Sequence, residues 1–426
     1  MQIHVVRSGD TLYGLSQSYN LPIETIVSDN AISDPSRLVV GQALVIRITG
    51  SYYWVSPGDS LYIISQRVNV PVDVLIQVNN IQNPNQLPVG LRLYIPPRPR
   101  PPKEVAAYID TQTTMERTGE EVRAVGDQLT YLNIFSYAVD ANGNLTPPND
   151  EPALIAAYEH NVAPLMVLTN FEDGTFSNEI ATAILNDPAL QDALLANALS
   201  IMEQKGYRGI DFDFEYVGGE NREAYNAFIA KAADFFQPNY FVSSALAPKL
   251  STDQVGTLYE GHDYAAHGRV LDFVFLMTYE WGWSGGPPMA VSPLNEVRRV
   301  LEYAITQIPR DKIMMGIPLY GYDWTLPYVP GGQWARVVSP VRAVELALQY
   351  NARIEYDYVA QAPYFNYWDE QGREHVVWFE DARSIQAKFN LVKSLGIRGF
   401  FYWALGTDFP QNWLLIEENF TVVKQV

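Results

Sequence analysis

The chain has 426 residues, 47% of them hydrophobic and 18% charged, with a net charge of −19. That much apolar material excludes a disordered chain, and the absence of cysteine excludes a disulfide framework, thiolate metal sites and thiol catalysis. The negative field repels polyanions, which excludes nucleic acid as a partner, and no apolar run reaches the length of a membrane span. Charge is unevenly placed: residues 1–96 hold five Arg, no Lys and six acidic residues, so nearly all the negative charge lies beyond them. Five scattered histidines (His4, His160, His262, His267, His375) give no metal-ligand spacing; neither metal nor cofactor is expected. His262 and His267 are five apart, off one helix face, and read as structural. The N-terminus lacks a basic segment followed by an apolar stretch, so no secretory signal is expected.

Residues 1–48 and 49–97 are two copies of one unit with a period of 49 and no gap. Ser8-Gly9-Asp10-Thr11-Leu12-Tyr13 recurs as Pro57-Gly58-Asp59-Ser60-Leu61-Tyr62, and Asn30 recurs as Asn79. In the first copy, Ile3–Val6 reads as a strand. Gly9-Asp10-Thr11 reads as a turn whose Asp or Thr caps a helix. Pro22 opens a second helix, and Leu44–Ile46 closes as a strand. This strand–helix–helix–strand unit resembles the LysM module, a family that binds N-acetylglucosamine-containing glycans. The resemblance implies glycan contact through Gly9, Asp10, Thr11 and Leu12 with Asn30 and Ile32, and through Gly58, Asp59, Ser60 and Leu61 with Asn79 and Ile81. The same residues serve equally well to cap helices and shape turns. Residues 98–103 (Arg-Pro-Arg-Pro-Pro-Lys) read as a short, semi-rigid linker.

From 104 to 426, apolar β-rich segments alternate with helical ones. Candidate strands are 105–110, 131–139, 163–171, 209–216, 240–248, 273–280, 313–320 and 399–404. Eight such strands predict an α/β fold, a (β/α)8 TIM barrel. The connection between strands seven and eight is too long for a loop; about 331–380 is expected to be a small α+β insertion.

The segment Gly209-Ile210-Asp211-Phe212-Asp213-Phe214-Glu215-Tyr216 carries the chemistry. Side chains alternate along a strand, so Asp211, Asp213 and Glu215 share one face and the apolar residues the other. The apolar set packs under helices, and the carboxylates point into the barrel. Crowded carboxylates raise one another's pKa. Glu215, nearest the strand's end, is then the general acid. Asp213 is too close to Glu215 to face it across a scissile bond, which points to the substrate-assisted exception among glycosidases.

These residues resemble the DxxDxDxE signature of glycoside hydrolase family 18. Met277-Thr278-Tyr279-Glu280 resembles that family's M-x-Y-D, Gly316–Gly321 its G-x-P-x-Y-G, and Glu380–Ser384 its D-D-x-x-S. The resemblance implies that Glu215 protonates the glycosidic oxygen while the sugar's own 2-acetamido oxygen attacks the anomeric carbon. Asp213 then orients the acetamido group, Asp211 supports Asp213, Tyr279 bonds the acetamido oxygen, and Trp403 stacks under the sugar. Tyr320, Trp281, Glu280 and Asn170 are expected to contact substrate. Trp281, Trp283 and Trp324 fit either substrate contact or packing. Three positions depart from the family pattern: Arg208 replaces the first Asp, Glu280 replaces Asp, and Val167-Leu168-Thr169-Asn170 stands where the family has S-x-G-G.

Over the whole chain the arrangement resembles the spore-germination cortex-fragment-lytic N-acetylglucosaminidases of Bacillus and its relatives. The resemblance implies peptidoglycan as partner and the coat–cortex boundary of an endospore as location. A chitinase and a non-catalytic glycan-binding coat protein are the competing readings. The presence of both Asp213 and Glu215 argues against the last.

Overall fold

A computed structural model describes residues 1–425. Each repeat folds as expected. In the first, strand Gln2–Val5 pairs antiparallel with Ala43–Ile46, flanking helices Leu12–Tyr19 and Ile23–Asp29. In the second, Ser51–Trp54 pairs with Arg92–Ile95, flanking Leu61–Val68 and Val72–Val78. Thr11 and Ser60 cap the first helix of each copy by accepting from the Gly14 and Ile63 amides. Asp10 and Asp59 instead tie the preceding turn, accepting from the Arg7 and Ser56 amides.

The remainder is a closed barrel of eight parallel strands: Pro102–Asp110, Tyr131–Val139, Ala163–Thr169, Gly209–Asp213, Phe241–Leu246, Phe273–Leu276, Ile313–Pro318 and Gly399–Trp403. The eighth pairs with the first, and the first with the second, so no edge is left in the ring. The first strand starts at Pro102, so the last two residues of the expected linker are already in the sheet. Inside the ring, Tyr108, Phe275 and Phe401 meet edge to face. Outside it, Phe212 of strand four and Phe214 just beyond it are buried against Phe228 and Tyr225 of helix Arg222–Phe236.

The insertion between strands seven and eight begins earlier than expected, at Gly321. It is a five-stranded antiparallel sheet in the order Arg336–Val338, Gly321–Thr325, Glu374–Trp378, Ala362–Trp368, Glu355–Asp357, with helix Pro340–Gln349 across it. Within this sheet Gly321 and Tyr322 pair with Val338 and Val337 on one side, and Tyr322 pairs with Trp378 on the other.

The two modules sit differently. The first is packed into the barrel: Ala43 and Val45 join the barrel's outer apolar layer. The Ile354 amide donates to Val40 O (3.0 Å), Arg383 donates to Gly41 O (3.0 Å), and the N-terminal ammonium pairs with Glu418 (2.7 Å). At Gly41 (φ +89°) a Cβ would lie 1.8 Å from Ile354 O, whereas at its repeat mate Gly90 (φ +85°) a Cβ would meet nothing within 4 Å. The corresponding face of the second module, with Val89 and Leu91, is exposed.

Candidate active site

Strand four ends at Asp213, two residues before Glu215. The strand was expected to run to residue 216, but Tyr216 adopts φ +54° and its side chain is exposed rather than packed under the helices. Asp211 and Asp213 point into the barrel as the alternation requires. Glu215 follows at the mouth.

Asp211 is fully buried and held by three donors from three other strands. Tyr108 Oη donates to Oδ2 (2.6 Å), Ser243 Oγ to Oδ1 (2.7 Å) and Asn133 Nδ2 to Oδ2 (3.3 Å). Burial pushes its pKa up to about 6 against the pull of those hydrogen bonds. Asp213 is 4% exposed, and its Oδ1 finds no hydrogen-bond partner among the described residues. Burial, then the charges of Glu215 and Asp211, hold its pKa well above the usual carboxylate range. Burial and the nearby Glu280 charge push Glu215 to about 7. Burial and mutual charge thus bias these carboxyls toward their protonated forms relative to free carboxylates.

Asp213, Glu215, Tyr279, Glu280, Trp281, Trp283 and Trp403 line one cleft of about 1050 Å³. Trp403, at the end of strand eight, stands with its ring centroid 5.1 Å from Phe135 and 5.6 Å from Tyr108. It forms an aromatic floor on which a sugar's C–H face can lie. Glu280 (φ +65°) accepts hydrogen bonds from Tyr320 and from Tyr322 (2.9 Å).

Two expected substrate contacts differ. Tyr320 is buried behind Glu280, packed with Tyr322 and Trp324. Asn170 is also buried and is occupied by backbone: it accepts from the Glu215 amide (3.0 Å) and donates to Glu215 O (2.8 Å) and Ser177 O (2.9 Å). Trp324 is likewise interior, donating to Gly286 O (3.0 Å). Arg208 lies at the start of strand four, its amide on Pro164 O and its guanidinium over Tyr158. His262 and His267 are buried, with pKa values pushed down by burial to about 4 and about 3. Tyr108, Asn133 and Ser243 were not foreseen. Their only sequence signal is a polar residue at an inward position of a strand, and nothing local says that three of them meet at Asp211.

In the modules, Asn30 donates to Ile26 O and Val45 O and accepts from the Val45 amide. Asn79 repeats this with Leu75 O, Tyr94 O and the Tyr94 amide. Both asparagines tie the second helix to the last strand. Leu12 and Leu61 are core, Ile32 and Ile81 pack partly buried against the cores, and Gly9 and Gly58 keep open space about their Cα atoms.

The glycosyl hydrolases family 18 model matches residues 104–408, most of the chain. The chain belongs to glycosyl hydrolases family 18. Its barrel is thus that of a glycosidase, and the LysM domain model matches residues 4–47 and 53–96 ahead of it. This family 18 chain is 51% identical to the cortical fragment-lytic enzyme of Bacillus anthracis, over 100% of both chains. It is also 51% identical to the enzyme of that name from Bacillus subtilis, over 100% of this chain and 99% of the other. Among solved structures it matches the Bacillus cereus spore cortex-lytic enzyme SleL with a TM-score of 0.92 at 47% identity, covering 99% of this chain and 98% of that one.

Proposed function

We propose that this family 18 enzyme is a retaining N-acetylglucosaminidase. It cleaves the β-1,4 bond that follows N-acetylglucosamine in spore cortex peptidoglycan fragments. The observation that carries this reading is the buried Asp213 Oδ1 without a partner among the described residues, two residues from a carboxyl whose pKa sits near neutrality. In this scheme Glu215 gives its proton to the glycosidic oxygen. The substrate's acetamido oxygen closes on the anomeric carbon, and Asp213 accepts the acetamido N–H as positive charge develops there. Asp211, secured by Tyr108, Ser243 and Asn133, keeps Asp213 in place. Tyr279 bonds the acetamido oxygen and Trp403 supports the ring. Ionised Glu215 then activates water to open the cyclic intermediate with net retention.

Full-length likeness to enzymes named for cortical fragments supports the substrate, and the paired LysM modules support a polymeric glycan as partner. The same likeness supports a place in the spore, at the coat–cortex boundary. Parallel digestion of purified cortex fragments and colloidal chitin tests the proposal, with the new reducing ends reduced and identified by mass spectrometry. N-acetylglucosaminitol ends from cortex fragments are expected. Faster turnover of chitin would make the protein a chitinase, and turnover of neither a glycan-binding protein.

A further inference from the structure

The backbone that carries the acid has left the sheet. Strand four pairs with strand three as far as Asp213 opposite Thr169, and Tyr216 turns into the left-handed region at φ +54°. The peptide groups between these points still need partners, and side chains supply them. Asn170, the residue after strand three, accepts from the Glu215 amide and donates to Glu215 O, at 3.0 and 2.8 Å. A neighbouring strand would grip both groups in the same way. His262 bridges the other side: its Nδ1 accepts from the Ala247 amide (2.8 Å), which leaves Nε2–H to donate to Phe214 O (2.9 Å). Ala247 follows strand five, so His262 ties the end of that strand to the residue before the acid. Asn178 donates to Tyr216 O (3.0 Å) and Val217 O (2.8 Å). Each carbonyl from residue 214 to residue 217 is thus held by a side chain.

We infer that Asn170 and His262 are positioning residues for Glu215, extending the sheet by side chains so that the acid keeps its aim after the strand has ended. The inference rests on the reading of Glu215 as the general acid. Misplacing a reacting group by about 1 Å costs about 100-fold in rate, and with Asn170 removed both backbone groups of Glu215 lose their partner at once.

The test compares Asn170→Ala, His262→Leu and His262→Gln in the full chain. The Gln amide can accept from Ala247 and donate to Phe214 O as imidazole does. Each variant is assayed on cortex fragments and on an aryl glycoside of the same glycan, whose phenolate departs without a proton. Asn170→Ala and His262→Leu should lower kcat on cortex fragments about 10- to 100-fold, with KM within about 2-fold and a small loss on the aryl glycoside. His262→Gln should recover most of the rate. In a Glu215→Gln background, Asn170→Ala should cost nothing further. If one variant fails to fold, the others still decide. Equal losses on both substrates, a loss carried by KM, or near-full activity of Asn170→Ala beside an inactive Glu215→Gln would overturn the positioning role. Near-full activity of Glu215→Gln itself would overturn the acid assignment, and this inference with it.

Discussion

Replacing Glu215 with Gln should stop hydrolysis and, at alkaline pH, make the protein harder to unfold. Burial and the Glu280 charge raise the Glu215 pKa from 4.5 to about 7. At about 1.4 kcal/mol per pH unit, ionising Glu215 in the folded protein costs about 3 kcal/mol. Solvent reaching the carboxyl at the cleft mouth screens this to about 2 kcal/mol. A raised folded-state pKa contributes stability that is fully present below the unfolded value of 4.5 and lost as pH climbs through 7. Gln cannot ionise, so the variant escapes that loss. Thermal unfolding of both proteins from pH 4 to pH 9 should show equal midpoints at the acid end. The gap should open through neutrality, with the variant a few degrees higher at pH 9 for a chain of this size. Acidic groups away from the site titrate alike in both proteins and cancel in the difference, while Asp213, whose pKa the Glu215 charge raises, widens the gap in the same direction. Hydrolysis of cortex fragments should meanwhile fall by about 10²–10⁴-fold. A midpoint difference that does not change with pH would refute the electrostatic account, and a variant keeping more than about a tenth of the wild-type rate would refute the acid assignment.

Asp213→Asn should cut the rate severely while ground-state binding of a product glycan, followed by calorimetry, changes little, because its charge matters as the acetamido becomes cationic. Proton NMR of early products should show the β-anomer at the new reducing end; an early α-anomer means inversion and rules out the acetamido as nucleophile. Gly41→Ala should destabilise by about 2–4 kcal/mol from a strained φ plus the collision with Ile354 O. Gly90→Ala, at nearly the same φ in open space, should cost only about 1 kcal/mol, and equal losses in denaturant titrations would contradict the docking of the first module. A chain shortened to begin at Pro102 should lose sedimentation with insoluble peptidoglycan and unfold at a lower temperature, since Ala43, Val45 and the Met1–Glu418 ion pair go with the modules; an unchanged midpoint would contradict a shared core.

The gapless 49-residue period announced two equal units, and the alternation through 209–213 put Asp211 and Asp213 on one inward face. Those features are local: a strand's period of two decides which face a side chain takes, whatever it meets there. What it meets was decided by barrel closure. Closure brings Tyr108 to Asp211 across 103 positions of chain, and adds Ser243 and Asn133 from two further strands. Asn170 was expected to contact substrate. The premature end of strand four makes it a backbone partner instead, since the peptide groups of Glu215 must be satisfied by something. The same distinction separates the two modules. Their sequences give matching glycines at 41 and 90 in almost the same conformation, yet one presses on Ile354 and the other faces solvent. A repeat encodes its own fold twice, but the single complementary surface on the barrel can bury only one copy.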